Sequence, residues 1–258
     1  MNTKINKILK KKNKSKILCL TAYLKNFAKE IDKYVDITLV GDSLGSVLYN
    51  YKSTKKVTLA NIIDHSKSVR LGVKKSLMVV DMPYNTYNTS ISALKNAKKI
   101  IKETKCDAVK LEGGKKIISQ IRYLIKNKIP VMGHLGLLPQ TAKGKFKSKG
   151  RSSKEKRQLI SDALLLQNNG VFAIVIECVR TLTAKEITRS LKIPTIGIGS
   201  SVFCDGQVLV TDDLLGLNNS NIRFVKRFIN IKKYINLGLR KFMYEVKLKK
   251  YQSKKYSY

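Results

Sequence analysis

The chain has 258 residues, enough for one large α/β domain with a substantial core or for two small ones. Hydrophobic residues make up 43%, so disorder is not the default, and the longest apolar run, near Val171 to Ile176, falls well short of the roughly 20 residues of a membrane span. The net charge of +35, from 52 basic and 17 acidic residues, points first to nucleic acid; yet the lysines are spread over every expected helix and no nucleic-acid-binding signature is present, which favours compositional drift.

Asn2 to Lys16 reads as a basic, helical lead-in, and the apolar run behind it is too short for a secretory signal. Ile17 to Leu20 is the first expected strand, followed by Thr21-Ala22-Tyr23 and a helix over Asn26 to Tyr34. Ile37 to Val40 is the second strand and Leu59 to Leu71 the next amphipathic helix. Leu77 to Val80 is the third strand, ending in Asp81-Met82-Pro83, where the proline disfavours helical geometry at Met82. A helix over Ile91 to Ile101 precedes strand four, Ala108 to Leu111, and Gly113-Gly114 opens the loop into a helix over Lys115 to Lys126. Pro130 to Met132 forms strand five and runs into Gly133-His134-Leu135-Gly136-Leu137-Leu138-Pro139-Gln140.

Thr141 to Arg151, rich in glycine and lysine, is the expected mobile loop. A helix over Ser153 to Asn168, strand six (Phe172 to Ile176), a helix over Ala184 to Ser190, strand seven (Pro194 to Ile196) and a short strand eight (Val208 to Val210) follow. From Phe224 the chain is expected to be helical and basic, with a frayed tail over 247–258. Eight short strands alternating with helices, without an obvious linker, indicate one α/β domain over 1–258. Two closures fit, an open doubly wound sheet or a (β/α)8 TIM-type barrel with a basic N-terminal lead-in and C-terminal helices. Four strands stop on or just before an acid (Asp42, Asp81, Glu112, Glu177), and only a barrel gathers four strand ends around one mouth.

Asp42, Asp81 and Glu112 have the oxygen chemistry of a hard-cation site; magnesium keeps several waters and takes one or two carboxylates directly, so the third acid acts through water. The bland alternative is that each acid caps the helix that follows it. Lys110 lies two residues before Glu112 and so on the same side of its strand, placed to bind an anion. Ser43 offers a hydroxyl or amide to a carboxylate, or serves the turn alone. His134, one of two histidines, reads equally as catalytic or as structural, and His65 reads as structural. Gly197-Ile198-Gly199 resembles a phosphate loop only weakly. Cys19, Cys106, Cys178 and Cys204 show no metal-like spacing and read as reduced, buried thiols of a cytoplasmic protein.

Together these motifs resemble the ketopantoate hydroxymethyltransferase (3-methyl-2-oxobutanoate hydroxymethyltransferase) family. The matching stretches are Thr21 to Tyr23, Val40 to Gly45, Asp81 to Pro83, Val109 to Gly114, Gly133 to Gln140, Ile196 to Gly199 and Cys204 to Val210. The resemblance implies a (β/α)8 barrel, magnesium, 5,10-methylenetetrahydrofolate as one-carbon donor, a role in pantothenate biosynthesis and a homodecamer. It implies that Asp42 and Asp81 bind the metal with Glu112 beside it, that Ser43 and Lys110 hold the oxoacid, and that Glu177 is the base. A carboxylate on the metal is a poor base, so the acid outside the metal group fits that last role; its bland alternative is a helix cap. The chain departs from the family pattern at Leu24, where an acid is usual, at Arg180, where proline is usual, and at Lys145 and Ser201, where glycine is usual. Two other readings remain: a related magnesium-dependent barrel lyase acting on an oxoacid without folate and, less favoured, a basic nucleic-acid-binding protein.

Overall fold

The computed structural model describes residues 3–142, 147–218 and 222–258. Lys145 and part of the expected mobile loop lie outside the described residues. Eight parallel strands close into a barrel in sequence order: β1 (Ile17–Thr21), β2 (Ile37–Val40), β3 (Leu77–Asp81), β4 (Ala108–Glu112), β5 (Val131–Gly136), β6 (Ala173–Glu177), β7 (Thr195–Ile198) and β8 (Gly206–Leu209), with β8 pairing back onto β1. The helices are α1 (Thr3–Lys10), α2 (Lys25–Ile31), α3 (Leu44–Tyr49), α4 (Leu59–Gly72), α5 (Ser90–Thr104), α6 (Ile118–Lys126), α7 (Ser153–Asn168), α8 (Thr181–Ser190), α9 (Thr211–Leu214) and α10 (Lys232–Lys247). Two compact units make up the chain, Met1–Val210 with the whole barrel and Thr211–Tyr258 with α9 and α10.

Alternation along the strands produces two cores. Inward-pointing Ile17, Cys19, Ile37, Leu39, Leu77, Val79, Ala108, Met132, Ala173, Val175, Ile196 and Val208 fill the barrel, and the opposite faces pack under the helices. β3 and β4 are buried on both faces, which is why they read as continuous apolar runs rather than as alternating ones. Helix starts carry side-chain caps: Thr58 with Asn61 and Thr89 with Ser92 form capping boxes, and Ser152 accepts from the Glu155 amide.

The two ends of the barrel use acids differently. At the N-terminal end, Asp36 accepts the Leu18 amide at 2.9 Å, Asp107 the Met78 amide at 2.9 Å and Asp205 the Thr195 amide at 2.8 Å. Each acid precedes its own strand and holds the strand before it in register. Asp32 closes the α2–β2 side of that end, accepting the amides of Lys74, Lys75 and Ser76 and the Ser76 hydroxyl. α1 seals the floor: Ile5 and Ile8 pack against Ile17, Ile37, Leu77 and Phe172, while Lys12 pairs with Asp205 at 2.8 Å.

Several boundaries differ from those expected. β5 starts at Val131, since Pro130 has no amide to give the ladder, and continues to Gly136, so His134 lies within the strand and not at its end. α3 has no counterpart in the sequence reading; Gly45 weakens its helical signal, and Asn50 ends it in a left-handed conformation at φ 53°. Residues 115–117 form a 3-10 turn ahead of α6, α8 begins at Thr181 and not Ala184, and Phe224 to Ile231 is not helical. β7 and β8 are joined without a helix.

Candidate active site

Period-two alternation turns Asp81, Lys110, Glu112, His134 and Glu177 to the barrel interior at the C-terminal ends of β3 to β6. Register does the rest. Asp81 is level with Lys110, Glu112 with His134, and Gly136 with Glu177, so the groups are stepped around the mouth at about the 4.8 Å strand spacing. Asp42 joins from the turn after β2, its amide donating to Asp81 Oδ2 at 3.1 Å. Gly41 keeps the turn tight: a Cβ would come within 2.9 Å of Ser43 Oγ and displace that hydroxyl.

The buried charges form a chain. Lys110 Nζ lies 2.8 Å from Asp81 Oδ1 and 3.5 Å from His134 Nδ1. His134 Nδ1 is 3.3 Å from Glu112 Oε1, and Nε2 is 3.2 Å from Glu177 Oε2. Burial and Lys110 both disfavour a charged imidazole, but Glu112 and Glu177 on opposite sides outweigh them and lift the His134 pKa to about 9. A doubly protonated ring then stands between two carboxylates. Burial works against an ionised Glu112, yet His134, Lys110 and the Gln140 amide hold its pKa below the ordinary value. Asp42 moves the other way: burial, then Asp81, then Glu112 push it well above the usual carboxylate range, and Lys110 and Gln140 only partly oppose them. Lys110 keeps its proton because Asp81, Glu112 and Asp42 outweigh its desolvation.

Ser43 sits at the rim, its Oγ 2.8 Å from the Tyr23 hydroxyl. His65 lies apart from the carboxylates, with Nδ1 2.8 Å from the Tyr23 carbonyl and Nε2 2.8 Å from the Tyr49 hydroxyl. Two members of the site escaped sequence reasoning. Gln140, 1% exposed, bonds Asp42 and Glu112 together, and Tyr87 donates to its side-chain oxygen. The one signal was position: Gln140 closes the motif stretch that starts at Gly133.

Among the described residues, no three His, Cys, Asp or Glu side chains form a ready cage for a metal ion. The donor chemistry nevertheless fits a hard cation. Three buried carboxylates share one end of the barrel, and their mutual repulsion shows in Asp42. A divalent ion is the charge that relieves such repulsion. Magnesium, which keeps several waters and takes one or two carboxylates, matches the adjacent pair Asp42 and Asp81 with Glu112 beyond them.

The family departures have local consequences. Leu24 is the N-cap of α2 and supplies no side-chain bond, where an acid would accept an orphan amide. Arg180 precedes α8 at φ −54°, an angle proline also holds, but its amide donates to the Lys149 carbonyl at 3.0 Å and proline would lose that bond. Ser201 is buried and accepts the Phe203 amide at 3.2 Å. Of the four cysteines, Cys19, Cys106 and Cys204 are buried as expected; Cys178 is half-buried, because it follows Glu177 out of the strand into a left-handed turn at φ 51°.

A family model described as ketopantoate hydroxymethyltransferase matches residues 2–254. The chain is similar to a 3-methyl-2-oxobutanoate hydroxymethyltransferase of Pelagibacter ubique, 63% identical over the full length of both. It is also similar to one from Rhizobium etli, 46% identical over 91% of this chain and 88% of that one. Among solved structures, a phosphonopyruvate hydrolase complex with oxalate and Mg++ superposes with a TM-score of 0.61 at 10% identity, covering 98% of this chain and 100% of that one. An oxaloacetate acetylhydrolase with 3,3-difluorooxalacetate gives 0.61 at 12% identity over 95% and 96%. These last two share the barrel fold.

Proposed function

The chain belongs to the ketopantoate hydroxymethyltransferase family, and we propose that it transfers a hydroxymethyl group from 5,10-methylenetetrahydrofolate to C3 of 3-methyl-2-oxobutanoate, giving 2-dehydropantoate. The observation that carries the reading is the row of alternating charge at the mouth of the barrel, with Asp81, Lys110, Glu112 and His134 buried and Glu177 half-buried. A row with both cations and carboxylates suits a substrate that is anionic at one end and must lose a proton at the other.

Asp42 and Asp81 would hold magnesium, with Glu112 near them. When bound, the ion acts as a Lewis acid on the oxoacid and makes its C3 proton easier to remove. Lys110 and Ser43 bind the oxoacid, Lys110 with a charge that stays on at neutral pH and Ser43 with a hydroxyl oriented by Tyr23. Glu177 takes the C3 proton. It is the most exposed acid of the row, at 15%, and it stands outside the Asp42–Asp81–Glu112 group, so its oxygens would stay open to the substrate with the metal in place. The electron pair left at C3 forms the new carbon–carbon bond to the one-carbon unit; the two bonds of that carbon to folate nitrogens break, water supplies its hydroxyl, and tetrahydrofolate leaves carrying the protons on its nitrogens. His134, 3.2 Å from Glu177, fixes the rotamer of that carboxylate.

The barrel unit, Met1–Val210, carries the catalysis, the basic Thr211–Tyr258 unit follows it, and the chain assembles as a homodecamer in the cytoplasm. The four free cysteines support a reducing compartment, and no helix among the described residues is long and apolar enough to cross a membrane. The test is turnover of 3-methyl-2-oxobutanoate with methylenetetrahydrofolate, with and without magnesium. Product that requires all three supports the reading; oxoacid cleavage in the absence of folate replaces it with a barrel lyase.

A further inference from the structure

Gln140 bonds two acids of the site, one through its side chain and one through its backbone, and it comes from outside the strands. It follows β5 by four residues, at the end of Leu137-Leu138-Pro139, and is buried to 1%. Its backbone amide donates to Glu112 Oε2 at 3.1 Å. Both hydrogens of Nε2 are used, one on Asp42 Oδ2 at 2.8 Å and one on the Met82 carbonyl at 3.0 Å. Those two acceptors settle the orientation of the amide, since the reverse would face oxygen with oxygen. Oε1 is left to accept from the Tyr87 hydroxyl, and Tyr87 keeps that proton because burial pushes its pKa up, with Glu112 adding to the effect.

We propose that Gln140 is a positioning residue for the metal carboxylates. It fixes the rotamers of Asp42 and Glu112 relative to each other, with Tyr87 as the anchor that keeps the amide from turning. The proposal rests on the reading of Asp42, Asp81 and Glu112 as the metal acids. The reason is geometric. Asp42 stands in the turn after β2 and Glu112 at the end of β4, and neither accepts the other's amide; His134 lies against Glu112 alone, so Gln140 is the residue described above that couples the two carboxylates. Gln140 spans them with one residue, donating from its side chain to the first and from its backbone to the second. Supporting groups of this kind are worth about tenfold to a hundredfold in metal affinity.

The test uses Mn2+ alone as probe, titrated into the full-length protein with free Mn2+ read by electron paramagnetic resonance. Gln140→Leu is expected to weaken Mn2+ binding by roughly tenfold to a hundredfold. Tyr87→Phe, which touches no carboxylate, is expected to weaken it severalfold, and to have no further effect when added to Gln140→Leu. A merely structural role predicts lower thermal midpoints for both variants with unchanged Mn2+ affinity, and that result overturns the proposal. If Gln140→Leu does not fold, Tyr87→Phe decides alone. Asp81→Asn is measured beside them: loss of binding there with wild-type affinity in Tyr87→Phe and Gln140→Leu rejects only Gln140, whereas wild-type affinity in Asp81→Asn rejects the metal acids themselves.

Discussion

Lys110 and Asp81 are paired across the β3–β4 ladder, and their charged atoms meet at 2.8 Å on the inner face of the barrel. The lysine therefore already has a partner, and an oxoacid carboxylate must share its charge with Asp81. Lys110→Met keeps the length and volume of the side chain but removes that charge. The oxoacid KM should rise roughly tenfold to a hundredfold, the value of a charge-assisted hydrogen bond, with the folate KM near that of the wild type. Steady-state kinetics with each substrate varied in turn checks this, and equal changes in both constants would argue against direct oxoacid binding.

Asp81→Asn alters the same pair from the other side. Volume is nearly unchanged and Asn can still accept the Asp42 amide, so the barrel should fold. The magnesium concentration for half-maximal rate should rise by at least about tenfold, since losing a direct ligand costs no less than losing a supporting one. Unchanged magnesium dependence would remove Asp81 from the metal site.

Glu177→Gln separates proton removal from the rest of the reaction. With magnesium present and folate absent, the wild type should exchange the C3 hydrogen of 3-methyl-2-oxobutanoate with solvent deuterium. The variant should still bind the oxoacid, but exchange about a hundredfold to ten-thousandfold more slowly. Exchange at the wild-type rate, followed by proton NMR, would exclude Glu177 as the base.

Asp32 supplies a pH test remote from the chemistry. Burial opposes its charge, but the Ser76 hydroxyl and the amides of Lys75, Ser76 and Lys74 outweigh burial and hold its pKa below the ordinary carboxylate value. A depressed carboxylate stabilises the fold above its unfolded pKa, and that stabilisation is lost as pH falls through the lower folded value. Asp32→Asn should therefore cost about 1–3 kcal/mol at pH 7, and the gap should close below about pH 4. Urea unfolding of both proteins at neutral and acid pH measures it; a gap as large in acid as at neutrality would show that charge is not what Asp32 contributes.

The strands and the acids behind them were legible in sequence because both depend on local pattern. Leu77 to Val80 and Ala108 to Leu111 announce buried strands, and Asp81 and Glu112 follow by adjacency. Lys110 was legible for the same reason, since its spacing from Glu112 fixes its face. Gln140 was not. Its bond to Asp42 spans 98 residues of chain, and nothing local marks a glutamine after a proline as the brace of a distant turn. His134 was half legible: its place in the motif was seen, but its two carboxylate neighbours come from β4 and β6, and only strand register brings them to the ring. α3 escaped because six residues with a glycine second give too little periodicity to read.

The seal at the floor of the barrel bears on how the chain is made. Ile5 and Ile8 emerge from the ribosome early, yet the pocket they fill includes Phe172, and Lys12 reaches Thr188 and Asp205, which appear more than 170 residues later. β1 likewise must wait for β8 before its open edge is paired. The nascent protein thus carries an exposed strand edge and an unburied amphipathic helix through nearly all of its synthesis. Contacts so distant along the chain make folding slow and leave the intermediate prone to aggregate. A chain shortened before Asp205 retains most strands but cannot close the ring, since β8 is the strand that pairs back onto β1.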